Sequence, residues 1–499
     1  MSNAVAARKA WHSVLRASLG LLFAVLPAGL LFSGCGGTLI PGGPTQQQST
    51  TVVLLLTSTA NDQLSVFNIG ISSVQLLTKS GHSVTLYTYG NQGHQPSEFM
   101  HLNGASEPLS VTTVPEGTYS SAVVTTSACA FTTISFGPPS QGQPSSLDTS
   151  VYAEGLCGQG TGQTTVNFPS PIAVTGSAEA LSLSLQVSQS YTLAGTGANA
   201  TYTVSPVFTL TPINVSPAPT NEQNGKVSGV DAQITSVDAT GLTFQAETIN
   251  GVPITLVTNG STIFQGTAGI SALAAGELVN VDFAIGLSGN LVATRVEVDD
   301  ATAPAEFVGP WLAYTANPDV FITEPLNCFL IPGSAACDSV IHFTNTTAFG
   351  ITGQVTNLPN LPFTPNFSSS TFVLGANFST FSDGDRDLQG EPYATTVILK
   401  PQTINGTITS MSTVNGFSVY TVTLAPYDLI PTLQQNLAPG SPSQVNMPNT
   451  VVVYADSNTQ ILTFASIGQG SLLRFRGVIF DDNGTLRMDC QEILDGVTE

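Results

Sequence analysis

Beyond residue 50, apolar side chains alternate with polar ones, and no stretch sustains the i, i+3, i+4, i+7 spacing of a helix face. Leu181-Ser182-Leu183-Ser184-Leu185-Gln186-Val187 is the plainest instance, since period two places every leucine on one side of an extended chain. Residues 74–77 and 84–87 flank Lys79-Ser80-Gly81-His82, which reads as a hairpin. These runs are rich in Thr, Val, Ile and aromatics, the residues that suit a pleated, half-buried surface. Composition closes the helical route independently. Only 9% of the 499 residues are charged, too few Glu, Lys and Arg to build solvated helix faces. The chain is therefore expected to be all-β, with helix limited to single turns.

Two breaks divide the body. Residues 215–225 (VSPAPTNEQNG) and the shorter 299–305 read as linkers, so a first domain spans 51–214. The remainder repeats itself weakly. Gln233-Ile234-Thr235-Ser236-Val237-Asp238 is echoed by Thr407-Ile408-Thr409-Ser410-Met411-Ser412. A strand ending in a polar turn occurs at 256–262, 343–347 and 454–459, and a strand followed by a hairpin at 276–298 and 470–488. Three modules follow, 226–300, 305–402 and 403–495, with the middle one the most divergent. Units so small must close or pair their edges, which favours small barrels of five to six strands.

Part of this pattern is familiar. Gly229-Val230, Ile234-Thr235-Ser236-Val237, the turn at 258–264, Ala275-Gly276-Glu277-Leu278-Val279 and Leu291-Val292-Ala293-Thr294-Arg295-Val296 resemble the bacterial domain-of-unknown-function family 5666. Residues 403–495 share some of it. Residues 51–136 are similar to family 4382 of secreted and lipid-anchored bacterial proteins. The carriers are Val53-Leu54-Leu55-Leu56-Thr57, Val74-Gln75-Leu76, Leu102-Asn103-Gly104 and Val114-Pro115-Glu116-Gly117-Thr118-Tyr119. Ser58-Thr59-Ala60 stands where that family carries Asp-Ala-Pro. The resemblance implies an immunoglobulin/transthyretin-like β-sandwich followed by small β-barrel repeat modules. It brings no chemistry with it.

The first 34 residues read as an address. Arg8, Lys9 and Arg16 precede an apolar run over 17–32 and then Ser33-Gly34-Cys35, the layout of a secretion signal. Leu31-Phe32-Ser33-Gly34-Cys35 resembles the lipobox of bacterial lipoproteins, which implies that Cys35 is acylated and becomes the new N-terminus. Residues 35–50 carry no charge and form a flexible tether. Gly36, being other than Asp, implies sorting to the outer membrane or cell surface. With 11 Lys+Arg against 32 Asp+Glu, the formal net charge is −21. Such a chain repels nucleic-acid phosphates and anionic headgroups, so its membrane contact is expected through lipid alone.

Export also sets the redox context. Cys129 and Cys157 bracket a polar excursion, Cys328 and Cys337 a turn-rich loop, and both pairs are disulfide candidates, with other pairings open. Cys490 is left over and reads as a buried free thiol.

The search for chemistry finds little. His82, His94, His101 and His342 sit in no H-E-x-x-H, and no G-x-S-x-G or P-loop occurs. His94 and His101 flank Glu98, either half of a metal site or loop residues facing solvent. The metal candidate is Asp383, Asp385 and Asp387, alternating carboxylates that can converge on calcium. Leu388 stands where a calcium loop needs glycine and Glu391 comes early. Hairpin turns occupy the same place in the other modules, at 288–290 and 481–484, so a solvated turn competes. Tyr87, Tyr89, Trp311 and Tyr314 would stack on sugars if exposed, or pack in the core. No catalytic residue, and no cofactor besides calcium, is expected. The expectation is a lipid-anchored cell-envelope protein with a non-catalytic binding, adhesion or scaffolding role, facing surface polysaccharide or another envelope protein. The alternatives are a carbohydrate- or calcium-binding surface module, and an exported hydrolase.

Overall fold

Strand accounts for 65% of the described residues and helix for 4%, which settles the class as all-β. The computed structural model describes residues 48–59, 64–89, 97–133, 135–136, 147–148, 153–155, 162–194, 201–215, 225–300, 305–314, 320–323, 327–329, 340–354, 358–436, 449–462 and 466–495. The signal, Cys35 and the tether up to residue 47 lie outside them.

The first region forms two facing sheets. In one, Ser49–Thr59 runs between antiparallel Glu107–Pro115 and parallel Glu179–Gln186, with Phe208–Ile213 at the edge. The other orders Gly162–Val174, Gly117–Thr133, Leu64–Thr78 and Ser83–Thr88. The expected hairpin is present, with Val74 opposite Tyr87, Leu76 opposite Val84, and Gly81 in the turn at φ +84°. Leu181, Leu183 and Leu185 are fully buried, but their strand ends at Gln186 and Val187 opens a 3-10 turn. The unbroken run Val52 to Leu56 is at most 1% exposed, as expected of a strand covered on both faces. Its apolar cluster continues without a break into residues 227–298.

The three later segments share one topology. Each first strand (Lys226–Asp238, Ala305–Tyr314, Gln402–Val414) pairs antiparallel with the second (Thr243–Thr248, Val320–Thr323, Phe417–Leu424). On its other side it pairs with the penultimate strand (Leu278–Ile285, Asn377–Ser382, Leu472–Asp482). The last strand (Leu291–Asp300, Thr396–Leu399, Thr485–Asp495) returns antiparallel beside the penultimate one. Closure comes from parallel pairing of the last strand with the third: Leu256–Leu291 in the first module, Val451–Leu486 in the last. The last module is a closed five-stranded barrel. In the middle module closure shrinks to a single bridge, His342 to Tyr393.

Two local devices recur at equivalent points. Ile234, Trp311 and Ile408 each sit at a register shift in the first strand. Their carbonyls accept the N–H of Gly276, Gly375 and Gly470 at 2.7–2.8 Å. All three glycines have φ between +82° and +96°, where a Cβ is costly. Thr262, Thr347 and Thr459 form the second device. Each hydroxyl donates to a carbonyl on the last strand or just before it (Ala293, Ala394, Cys490) at 2.7–2.9 Å and accepts the N–H three residues earlier at 2.9 Å. The divergent middle segment therefore repeats its neighbours in hydrogen bonding, although little of that shows in its side chains.

Helix exceeds the expected single turns at one place. Leu429–Asn436 makes eight residues of α-helix, with the Asp428 carboxylate accepting the N–H groups of Ile430 at 3.2 Å and Asn405 at 2.7 Å. Residues 47–499 pack as one compact unit containing two large apolar clusters. One joins the sandwich to the first module, and the other joins the middle module to the last. A polar seam lies between them.

Candidate functional site

The seam is built from cations, and the chain has few. Three of its 11 Lys+Arg precede Cys35, which leaves eight for the body. Lys400 follows the last strand of the middle module and is 5% exposed. Its Nζ lies 3.1 Å from both Asp231 Oδ1 and Asp299 Oδ2. Burial opposes its charge, but the fields of Asp231, Asp299 and Glu306 hold its pKa above the usual lysine value. Burial raises the Asp299 carboxyl to about 7 against the pull of Lys400, and raises the fully buried Glu306 well above its ordinary value.

A second cation extends the network. Arg295 Nε donates to Asp282 at 2.7 Å, Nη1 to Glu297 at 2.7 Å, and Nη2 to Asn280. Asn280 passes the chain on to Asp231 at 2.6 Å. Glu297 accepts the Gly353 N–H at 2.8 Å and the Thr352 hydroxyl at 3.1 Å, while Gln354 reaches Asp282 at 3.1 Å. The first and middle modules are thus held together by directional, charge-assisted bonds.

The sandwich joins through His101. Its Nδ1 lies 2.9 Å from Glu98 and its Nε2 3.0 Å from Glu107, and Asn250 of the first module donates to the other Glu107 oxygen. Burial disfavours the imidazolium, yet Glu107 and Glu98 together raise its pKa to about 10. Thr403 and Arg474 of the last module reach Asn103 at 2.6 and 3.1 Å.

Where these parts meet, the seam opens into cavities. One, of about 280 Å³, lies between sandwich strands, the start of the first module and the last barrel. Its walls carry the hydroxyls of Thr57, Ser58, Ser184 and Thr209, three of the eight body cations (Lys226, Arg474, Arg476), and Glu492. A neighbouring cavity of about 150 Å³ is acidic, lined by Asp282, Asp456, Asp489 and Glu492. Burial, then the charge of Asp456, raises Asp489 to about 7. These cations drew no attention in the sequence, where the usable signal was their scarcity.

The residues singled out from sequence fare differently. Asp383, Asp385 and Asp387 do not converge. Asp383 caps the N–H of Asp385 at 3.1 Å, whereas Asp387 turns to His342 Nε2 at 3.3 Å, beside Glu391 at 2.8 Å. Asx turns engage the Asp383 and Asp387 carboxylates locally, and the trio close enough to hold a metal is His342, Asp387 and Glu391. Asp231, Asp299 and Glu306 form a second such trio, but there the Lys400 ammonium supplies the cation. Of the His94 and His101 pair, both His101 nitrogens face carboxylates, and His94 lies outside the described residues. Trp311 is 1% exposed and packs edge-on against Phe372 at 4.5 Å, so it belongs to the core and not to a sugar platform. Tyr87 is half-buried.

Cys490 is a buried free thiol whose pKa burial raises well above the ordinary value. Cys129 and Cys328 lie on the strands Gly117–Thr133 and Asn327–Phe329, and Cys157 and Cys337 outside the described residues. Comparison with known protein families and with curated proteins finds no match to this chain.

Proposed function

We propose that the protein is a lipid-anchored envelope protein, tethered through Cys35 at the outer membrane or cell surface, that binds and does not catalyse. The observation that carries this reading is the seam. Ionised groups that an enzyme would keep free for proton transfer are here committed to holding modules together, as His101 and Lys400 are. What the seam leaves open is a hydroxyl- and arginine-lined cavity suited to holding a ligand. The signal-like first 34 residues support the location, and the lipobox-like 31–35 supports the anchor. Two or more acyl chains anchor stably where one does not.

The test is metabolic labelling with a palmitate analogue, followed by membrane fractionation, for the wild type and C35A. The wild type is expected to carry label and sediment with the outer membrane, and C35A to lose both. Equal labelling of the two chains would overturn the anchor. Turnover of ester or glycoside substrates by the purified chain would overturn the non-catalytic reading.

A further inference from the structure

Arg476 is 8% exposed, yet among the described residues its guanidinium makes no hydrogen bond and no ion pair. It borders three adjoining cavities of the seam, of about 280, 50 and 50 Å³. Burying a charge without a partner is among the costliest arrangements a fold can contain. Arg295, Lys400 and Arg487 all have carboxylates within 3.1 Å, so this chain does pair its cations where it uses them structurally. Arg476 stands opposite Glu492 across the strand pair and feels its charge, but among the described residues no carboxylate reaches ion-pair distance, so the guanidinium stays open to a ligand. We propose that the cavity beside Arg476 binds an acidic sugar, its carboxylate paired with this guanidinium and its hydroxyls with the Ser and Thr walls.

Three features set the ligand class. Arginine presents a planar fork that matches a carboxylate or sulfate in two bonds, and Lys226 and Arg474 add positive charge to the same walls. Glu492 is the one acid among the described lining residues, and burial raises its pKa, which lessens its opposition to an anion. The remaining polar surface is largely hydroxyl (Thr57, Ser58, Ser184, Thr209), which serves a polyol better than a flat apolar acid. A volume of about 280 Å³ suits one monosaccharide.

This inference rests on the binding reading but not on the anchor, and its test is separate. The full-length chain, purified in detergent, is titrated calorimetrically with sodium D-glucuronate, D-glucose and sodium sulfate. Glucuronate is expected to bind, sulfate more weakly, and glucose not at all. R476Q is expected to weaken glucuronate binding by about tenfold or more. R476K keeps the charge but loses the fork, and should bind with intermediate affinity; it serves if R476Q does not fold. Absence of glucuronate binding, or equal binding by R476Q or R476K, would overturn the proposal. Sulfate binding as tight as glucuronate would overturn the sugar assignment. An unanchored chain that binds glucuronate overturns only the anchor, and an anchored chain that binds none overturns only this inference.

Discussion

Replacing Lys400 with methionine tests whether the seam is held by charge. The side chain is 5% exposed and bonded at 3.1 Å to each of two carboxylates, with Glu306 buried alongside. K400M keeps the volume and leaves those acids without a cation, a change that costs about 3–5 kcal/mol at neutral pH. At about 2.1 cal/mol/K per residue, a body of roughly 450 residues has a melting entropy near 1 kcal/mol/K. The expected fall in melting temperature is therefore about 3–5 °C, read by scanning calorimetry. The sign with pH follows from the acids. Asp299 is raised to about 7 and Glu306 well above its ordinary value, in both cases chiefly by burial. A carboxyl raised on folding adds stability while protonated, and loses it as pH climbs from the unfolded pKa through the folded one. As pH falls below about 7 Asp299 takes up its proton with or without Lys400, so the deficit of K400M should be smaller at about pH 5 than at about pH 8. A K400M chain as stable as wild type at about pH 8, or a deficit independent of pH, would refute the charged seam.

Three further outcomes are expected. H101A strands Glu98 and Glu107, 1% and 7% exposed, and should lower stability by about 3–5 kcal/mol at neutral pH in denaturant titrations. Since the His101 contribution is fully present below about 6.5 and lost as pH rises through about 10, wild type and H101A should converge in stability above that point. T262V and T459V each leave a turn N–H and a strand carbonyl without the hydroxyl that served both, costing about 1–3 kcal/mol apiece by the same titration. Cys490, buried and with its thiol pKa raised, should resist iodoacetamide in the native chain and be alkylated once denaturant is added, as mass spectrometry of the peptides would show.

The strands were legible because period two is a local signal and survives in any environment. The middle module was harder for a definable reason. Its equivalence to the others lies in backbone hydrogen bonds, and a backbone bond to Trp311 is the same bond as one to Ile234 or Ile408. Gly375-Ala376 was the surviving trace, matching Gly276-Glu277 and Gly470-Ser471 at a positive φ that tolerates little else. The aspartate triplet misled because alternating carboxylates fit both a calcium loop and a series of Asx turns, and only tertiary structure shows that Asp387 is claimed by His342. The seam was invisible for the opposite reason. Lys400 meets Asp231 across 169 positions and Arg474 meets Asn103 across 371, and no short-range pattern encodes such a meeting.

That separation bears on why an acidic chain buries three of its eight body cations, Arg295, Lys400 and Arg476. Coulomb attraction between exposed charges in water is weak and screened, so surface lysines would do little to orient one module on another. Apolar contact alone holds modules together without fixing their angle, because it is non-directional. In this fold each apolar cluster already spans two units, sandwich with first module and middle with last. The two halves could still slide over one another if nothing directional joined them. Lys400 bonded to Asp231 and Asp299, Thr352 and Gly353 bonded to Glu297, and Arg474 and Thr403 bonded to Asn103 all cross that divide. Each fixes a geometry as well as a distance. Cations placed this way define where the seam closes and where it stays open, and the cavity at Arg476 is the place where the halves meet without filling the space between them.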